Sequence, residues 1–254
     1  MNIEPIIEIR KLKEINIEGG VVFDGFHNIG LTSTIACGCF INSLKTELVG
    51  ILDSSLFSPM SVIYDSKPNY PARIYANEEK KLGFFVSELV LEPAASRPVA
   101  DIILKWSKDN KCRTIISIAG KAIEKEDRMK TTKKEEREEE EHSLNVISNS
   151  PVIMKELDDV GILPLQNGTI NGIPGVLLNE SNWKNIDVIV FVVDFIVGVP
   201  DFRSAANVVQ AISKIVPEAY CEIQLLIKEA ENIENNLKMI NNQASNKFEK
   251  QMYR

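Results

Sequence analysis

The sequence predicts an α/β protein: one three-layer αβα domain on a mixed central sheet, then a long C-terminal helix and a flexible tail. Three observations carry this prediction. The runs Val21–Phe23, Arg113–Ala119 and Asp187–Phe195 are apolar and rich in β-branched residues, with little alternation. That pattern fits strands buried on both faces. Segments with helical apolar spacing lie between such runs, the strand–helix–strand order from which parallel sheets are built. A heptad pattern takes over only near the end of the chain. The expected boundaries are 1–216 for the domain, with 121–142 as a charged insertion, 217–244 for the helix and 245–254 for the tail.

Taken in order, Ile3–Arg10 alternates loosely and suits an edge strand. Val21-Val22-Phe23, closed by Asp24-Gly25, is a buried strand ended by a turn. After Gly30, residues Leu31, Ile35, Ala36, Cys39, Phe40 and Leu44 fall at helical spacing, and Glu47–Leu52 is the next strand. The intervening G-F-H-N-I-G has glycine at the first and sixth positions of the dinucleotide fingerprint but not the third. No Lys-Ser/Thr follows it either. Its glycines therefore serve a tight turn and close helix packing, not phosphate.

Ser61–Tyr64 and Ala72–Tyr75 flank a Pro/Asn/Asp loop and read as an antiparallel hairpin. Leu82–Leu89 is a strongly apolar strand. Pro93–Asn110 carries the stripe Ala94, Val99, Ile102, Ile103, Trp106 of an amphipathic helix, and Arg113–Ala119, ended by Gly120, completes a second crossover. Lys121–His142 differs from its surroundings, with 7 Lys+Arg against 9 Asp+Glu and three apolar residues. It can bury no face, so it is a solvated helix or a disordered loop.

The fold resumes with a strand at Leu144–Ile147. Ser150-Pro151 then starts a helix as N-cap and first helical residue, and Gly161 ends it. Ile162–Asn179 contains Asn-Gly twice, which marks tight turns. Asp187–Phe195 is the last central strand, and a helix begins at Pro200-Asp201. From Pro217, residues Ile223, Leu226, Ala230, Ile233, Leu237, Ile240 and Ala244 repeat at alternating spacings of three and four. Such a heptad seam serves either docking on the domain or packing between subunits.

Composition narrows the function. The net charge of −7 argues against nucleic acid as the main partner, because phosphate binding needs a basic face. The longest apolar run, Val188–Val193, is far short of a membrane span. Met1–Ile15 mixes acids with apolar residues and shows no cleavage pattern, so no signal peptide is expected. Cys37, Cys39, Cys112 and Cys221 lack metal-ligand spacing and read as reduced core thiols of a soluble cytoplasmic protein. No metal or cofactor is expected.

A catalytic site is hard to assemble. The two histidines are His27, in the opening loop, and His142, at the end of the charged run. His27 could serve as a base with Asp24 nearby, but no G-x-S-x-G elbow or H-E-x-x-H accompanies it. Asp53 and Glu88 end strands and could line a crevice at the carboxyl edge of the sheet, where ligands of α/β proteins bind.

Several segments resemble one family. D-G-F-x-x-I-G-L at Asp24–Leu31, E-L-V-G-x-L-D-S at Glu47–Ser54, R-I-Y at Arg73–Tyr75 and V-S-E at Val86–Glu88 look like the proteasome assembly chaperone superfamily in its archaeal form. The run G-I-x-P-L-x-x-G-x-I-x-G-I-x-G-x-L-L-N-E at Gly161–Glu180 and Pro200-Asp201 extend the match. The resemblance implies a nucleoside-phosphorylase-like fold and a non-enzymatic, ATP-independent chaperone or activator. It also gives the final residues Met252-Tyr253-Arg254 a role, since they read hydrophobic–Tyr–any. In proteins of this kind such a tail enters pockets between α-subunits of the proteasome core. Tyr253 would supply a rigid ring with a hydroxyl, and the terminal carboxylate a charge-assisted bond to a lysine. Because one tail binds weakly, the seam and the tail together predict a homo-oligomer. The competing expectation is a phosphorylase-like or other small-molecule enzyme working in a crevice formed by His27, Asp53 and Glu88.

Overall fold

The computed structural model describes residues 7–26, 31–122, 144–195 and 201–228. Eleven strands are present among them: β1 (Ile7–Lys11), β2 (Val21–Gly25), β3 (Glu47–Ser54), β4 (Val62–Tyr64), β5 (Lys67–Asn69), β6 (Ala72–Asn77), β7 (Leu82–Ser87), β8 (Thr114–Ala122), β9 (Leu144–Ser148), β10 (Leu163–Pro164) and β11 (Asp187–Phe195). Five helices pack on them: α1 (Thr32–Ser43), α2 (Pro93–Asp109), α3 (Pro151–Asp159), α4 (Gly172–Lys184) and α5 (Phe202–Ile215).

Nine strands form one sheet in the order β1-β3-β6-β7-β2-β8-β11-β9-β10. The centre is parallel, with β2 against β7 and β8, and β8 against β11. Both flanks bring in antiparallel neighbours, β6 on β7 and β9 on β11. The central strands are buried on both faces, as their largely apolar composition favours.

Alternate residues of each strand feed two cores. On one face Val21, Phe23, Phe84, Ile116 and Phe191 pack under α1, α3 and α5. Phe23 stacks on Phe84 at 4.9 Å and meets Phe40 of α1 at 5.5 Å. On the other face Val22, Phe85, Ile115, Val188 and Val190 pack under α2 and α4. Here Trp106 of α2 meets Phe85 edge-on at 5.1 Å. Each large side chain buried this way contributes about 1.5–3 kcal/mol, so two apolar stripes per strand are what fix the three layers.

The structure adds one fact about strand adjacency and corrects three local expectations. First, β2-α1-β3 is a parallel crossover, but β3 does not neighbour β2; β6 and β7 lie between them. Direction follows from the helix between two strands, whereas adjacency depends on where later strands insert.

Second, the hairpin does not join Ser61–Tyr64 to Ala72–Tyr75. Asp65 and Ser66 both take left-handed φ (49° and 61°) and close a two-residue turn between β4 and β5, while β6 enters the main sheet. Positive φ at both central residues gives the turn the twist that two strands need.

Third, the second Asn-Gly does not mark a simple turn. Asn171 is the N-cap of α4, a 13-residue helix that packs beside α2. A Cβ on Gly175 would run into the Ile170 carbonyl oxygen, so a glycine is required where the loop folds back on the helix. Fourth, Cys39 and Cys221 are not free thiols. They form a disulfide with Cα atoms 5.7 Å apart, which ties α1 to the segment after α5. Cys37 and Cys112 are free and buried, as expected.

Other details agree with the sequence. Asp201 caps α5 by accepting from the Ser204 N–H at 2.9 Å. Ser150 occupies the N-cap of α3 with Pro151 following, although its side chain makes no cap bond. Gly161 takes φ +79° just beyond the C-cap. Residues 223–228 are helical, and Leu226 reaches the α1/α5 core; the remainder of the expected C-terminal helix lies outside the described residues, as does the charged insertion from residue 123.

Candidate functional site

The parallel strands β2, β8 and β11 all finish at one edge of the sheet, and α2 and α4 both begin there. Between them lies a cleft of about 860 Å³, within the range that holds small molecules. Its floor is made by the ends of β2 and β8, including Asp24, Ile118 and Ala119. Its walls are Phe26, Leu91 and the first turns of α2 and α4, and the loop Asn167–Asn171 closes one side.

Asp24 is the cleft's chemical centre. It is 4% exposed, and its Oδ2 accepts from the Ser117 hydroxyl at 2.7 Å while Oδ1 accepts from the Phe26 N–H at 3.2 Å. Ser117 is directly opposite Asp24 in the β2/β8 register, which is why its hydroxyl reaches the carboxylate. Burial pushes the Asp24 carboxyl up from 3.8 to about 6, and the two hydrogen bonds counter only part of that rise. Behind it, burial and the nearby Asp24 charge push the Cys37 thiol far up, so Cys37 is an inert core group. Arg97 and Lys121 stand at the rim; Arg97 also donates to Glu180 at 2.9 Å.

The carboxylates expected to line a crevice do not meet here. Asp53 accepts from Arg10 Nη2 at 2.6 Å, and the Arg10 guanidinium lies over the Tyr70 ring at 5.9 Å. Glu88 pairs with Arg73, whose guanidinium lies 5.5 Å from the Tyr64 ring centre, and the Tyr64 hydroxyl donates to Glu88 at 2.9 Å. Each carboxylate is thus committed to an arginine and covered by a tyrosine from the β4–β5 arm. These brackets hold the arm on the sheet; neither lines the cleft. The expectation of an active crevice built from Asp53 and Glu88 is therefore not met.

His27, His142 and the tail residues Met252, Tyr253 and Arg254 lie outside the described residues. Among the described residues no group of three or more His, Cys, Asp or Glu side chains is placed to hold a metal ion. No helix among them is long and apolar enough to cross a membrane. Sequence reasoning named Asp24 only as a companion to His27. It placed a crevice at this edge of the sheet but missed the residues that line it, because α2 and α4 start more than sixty residues from β2 and meet it only in the folded chain.

These features define a class: a three-layer α/β protein with a mixed nine-stranded sheet and a cleft at the carboxyl edge of its parallel strands. Comparison with known proteins makes the assignment narrower. The PAC2 family model matches residues 22–240, and the chain belongs to the PAC2 family. An uncharacterized protein of Methanocaldococcus jannaschii is 26% identical over 225 residues, covering 89% of this chain and 87% of that one. Among solved structures, Pyrococcus furiosus PbaA, an archaeal homolog of proteasome-assembly chaperone, superimposes with a TM-score of 0.80 at 28% identity, over 96% of this chain and 97% of that chain. P. furiosus PbaB, an archaeal proteasome activator, gives 0.77 at 18% identity over 93% and 99% of the two chains, a likeness of fold.

Proposed function

We propose that this chain is a non-enzymatic, ATP-independent proteasome assembly chaperone or activator that acts in the cytoplasm as a homo-oligomer. It docks on the α-ring of the proteasome core through Met252-Tyr253-Arg254. The observation that carries the reading is the similarity to PbaA along nearly the whole of both chains. The charge balance is consistent with a protein partner, and the committed arginine brackets at Asp53 and Glu88 remove two of the three groups that an enzyme of the competing type would have used.

The tail's chemistry suits a pocket between subunits. Tyr253 and the terminal carboxylate make directional polar contacts, and Met252 adapts to an apolar wall. One such tail binds weakly because ordering it costs conformational entropy. Several tails on one oligomer gain roughly 10²–10⁴ in avidity where the geometry allows simultaneous engagement.

The test is capture of the cognate proteasome core by the intact protein and by a version ending at residue 251, with peptide hydrolysis read in the same tubes. Binding that is lost on truncation supports tail docking, and faster hydrolysis with the intact protein alone selects activator over assembly factor. Equal capture by both moves docking to the folded domain. Capture by neither overturns the proteasome reading. Light scattering at micromolar concentration checks the oligomer, and a monomer there defeats that part of the proposal.

A further inference from the structure

The cleft at the sheet edge is not used by tail docking, and its composition is unusual for a structural void. Asp24 is charged at neutral pH and 4% exposed, yet among the described residues no Lys or Arg pairs with it. A carboxylate has about four acceptor sites, and two are filled here. A buried ion left without a counter-charge is costly, and a ligand that brings a donor lowers that cost.

The opposite wall has the reverse polarity. The first turns of α2 and α4 both face the cleft and hold no acidic residue, and neither helix start has a side-chain cap bond, the N-cap residue of α2 being Glu92 and that of α4 Asn171. The positive ends of two helices therefore point into one space. At its rim Lys121 adds a formal positive charge, and Arg97 adds one that it shares with Glu180, to which it donates at 2.9 Å. Between the poles lie Phe26, Ile118 and Ile173, which are apolar.

We propose that this cleft binds a small molecule that carries an anionic group, an apolar body and a hydrogen-bond-donating nitrogen. The anion sits against the starts of α2 and α4 near Arg97 and Lys121, and the nitrogen donates to Asp24. Carboxylate and phosphate share the required anion chemistry, so the test separates them. An amino acid with an apolar side chain is the carboxylate form; a purine nucleoside monophosphate, with its exocyclic amine, is the phosphate form.

The experiment is calorimetric titration of the full chain with L-leucine and with AMP, alongside leucinamide and adenosine, which lack the anion. One anionic probe should bind with a dissociation constant below about 1 mM, and its counterpart without the anion at least tenfold more weakly. Asp24→Asn, which keeps the shape but reverses part of the donor pattern, should weaken the binding probe by tenfold or more. Ser96→Asp places a carboxylate in the first turn of α2, where it favours the helix. It should therefore leave the melting temperature unchanged or higher while weakening the same probe tenfold or more. Binding by neither anionic probe, or equal binding of the probe and its anion-free counterpart, overturns the proposal. So does binding that survives both substitutions in proteins that melt normally. None of these outcomes depends on the tail, so failure here leaves the proteasome reading untouched.

Discussion

Replacing Asp24 by Asn should change how stability depends on pH, and the size of the change follows from the burial of one carboxyl group. In the folded protein that carboxyl titrates near 6 instead of 3.8. The folded state therefore holds the proton more tightly than the unfolded state does. The sign follows from this. Below about pH 3.8 both states are protonated and Asp24 adds no penalty. As pH rises from 3.8 towards 6 the unfolded state ionises first, and folding loses stability. Above about 6 both states are charged and the penalty is constant.

At about 1.4 kcal/mol per tenfold change, the separation corresponds to roughly 3 kcal/mol at neutral pH. Asparagine cannot ionise and escapes this penalty. It also cannot accept from both Ser117 and the Phe26 N–H with its single carbonyl oxygen, which costs about 1 kcal/mol at every pH. The variant should thus be less stable than the parent near pH 3.5 and more stable by about 2 kcal/mol at pH 7. Urea unfolding at half-unit steps between pH 3.5 and 7.5 measures the difference. Cys37 does not titrate in that window, because burial holds its thiol far above it. A stability difference that stays flat across the window refutes the account of Asp24 as a buried carboxyl with a raised pKa.

Two further substitutions probe what holds the fold. The Cys39–Cys221 bond closes a loop of 182 residues, for which the chain-entropy relation gives up to about 5 kcal/mol; thiol titration in denaturant should find two free cysteines of the four, and Cys39→Ser should lower the urea midpoint strongly, whereas four titratable thiols would remove the bond. Glu88→Ala should cost about 3 kcal/mol, because it strands the Arg73 guanidinium, whose side chain is only 7% exposed, without its carboxylate; loss of less than about 1 kcal/mol in equilibrium unfolding would show that Arg73 finds another partner.

Much of the architecture was legible because it rests on local patterns. A strand such as Asp187–Phe195, with six consecutive apolar residues from Val188 to Val193, can only be central, and Asp201 before Phe202 announces a helix through its cap. Pairings were harder. The turn at Asp65-Ser66 depends on two residues accepting left-handed conformations, which their side chains permit but do not demand. The helix α4 was hidden because its start, Asn171-Gly172-Ile173-Pro174-Gly175, is the language of turns; its packing beside α2 overrides that propensity. The cysteine pair is invisible to spacing, since the two residues lie on different elements nearly the whole domain apart.

The site shows the same division. Asp24, Asp53 and Glu88 all end strands, and sequence treats them alike. Only the fold distinguishes the two that face arginines from the one that faces a cleft. That difference is set by partners on neighbouring strands, Arg10 of β1 for Asp53 and Arg73 of β6 for Glu88.

The disulfide also changes what it takes to dismantle this molecule. Residues 39 to 221 form a covalent ring. A single peptide-bond cut inside that ring releases no fragment, because the two pieces remain joined through sulfur. Pulled from either end through an opening wide enough for one extended chain, the protein would jam at the cross-link, where two strands must pass abreast. Complete removal then needs a reductant as well as a protease, a form of protection suited to a protein whose proposed workplace is the mouth of a proteolytic chamber.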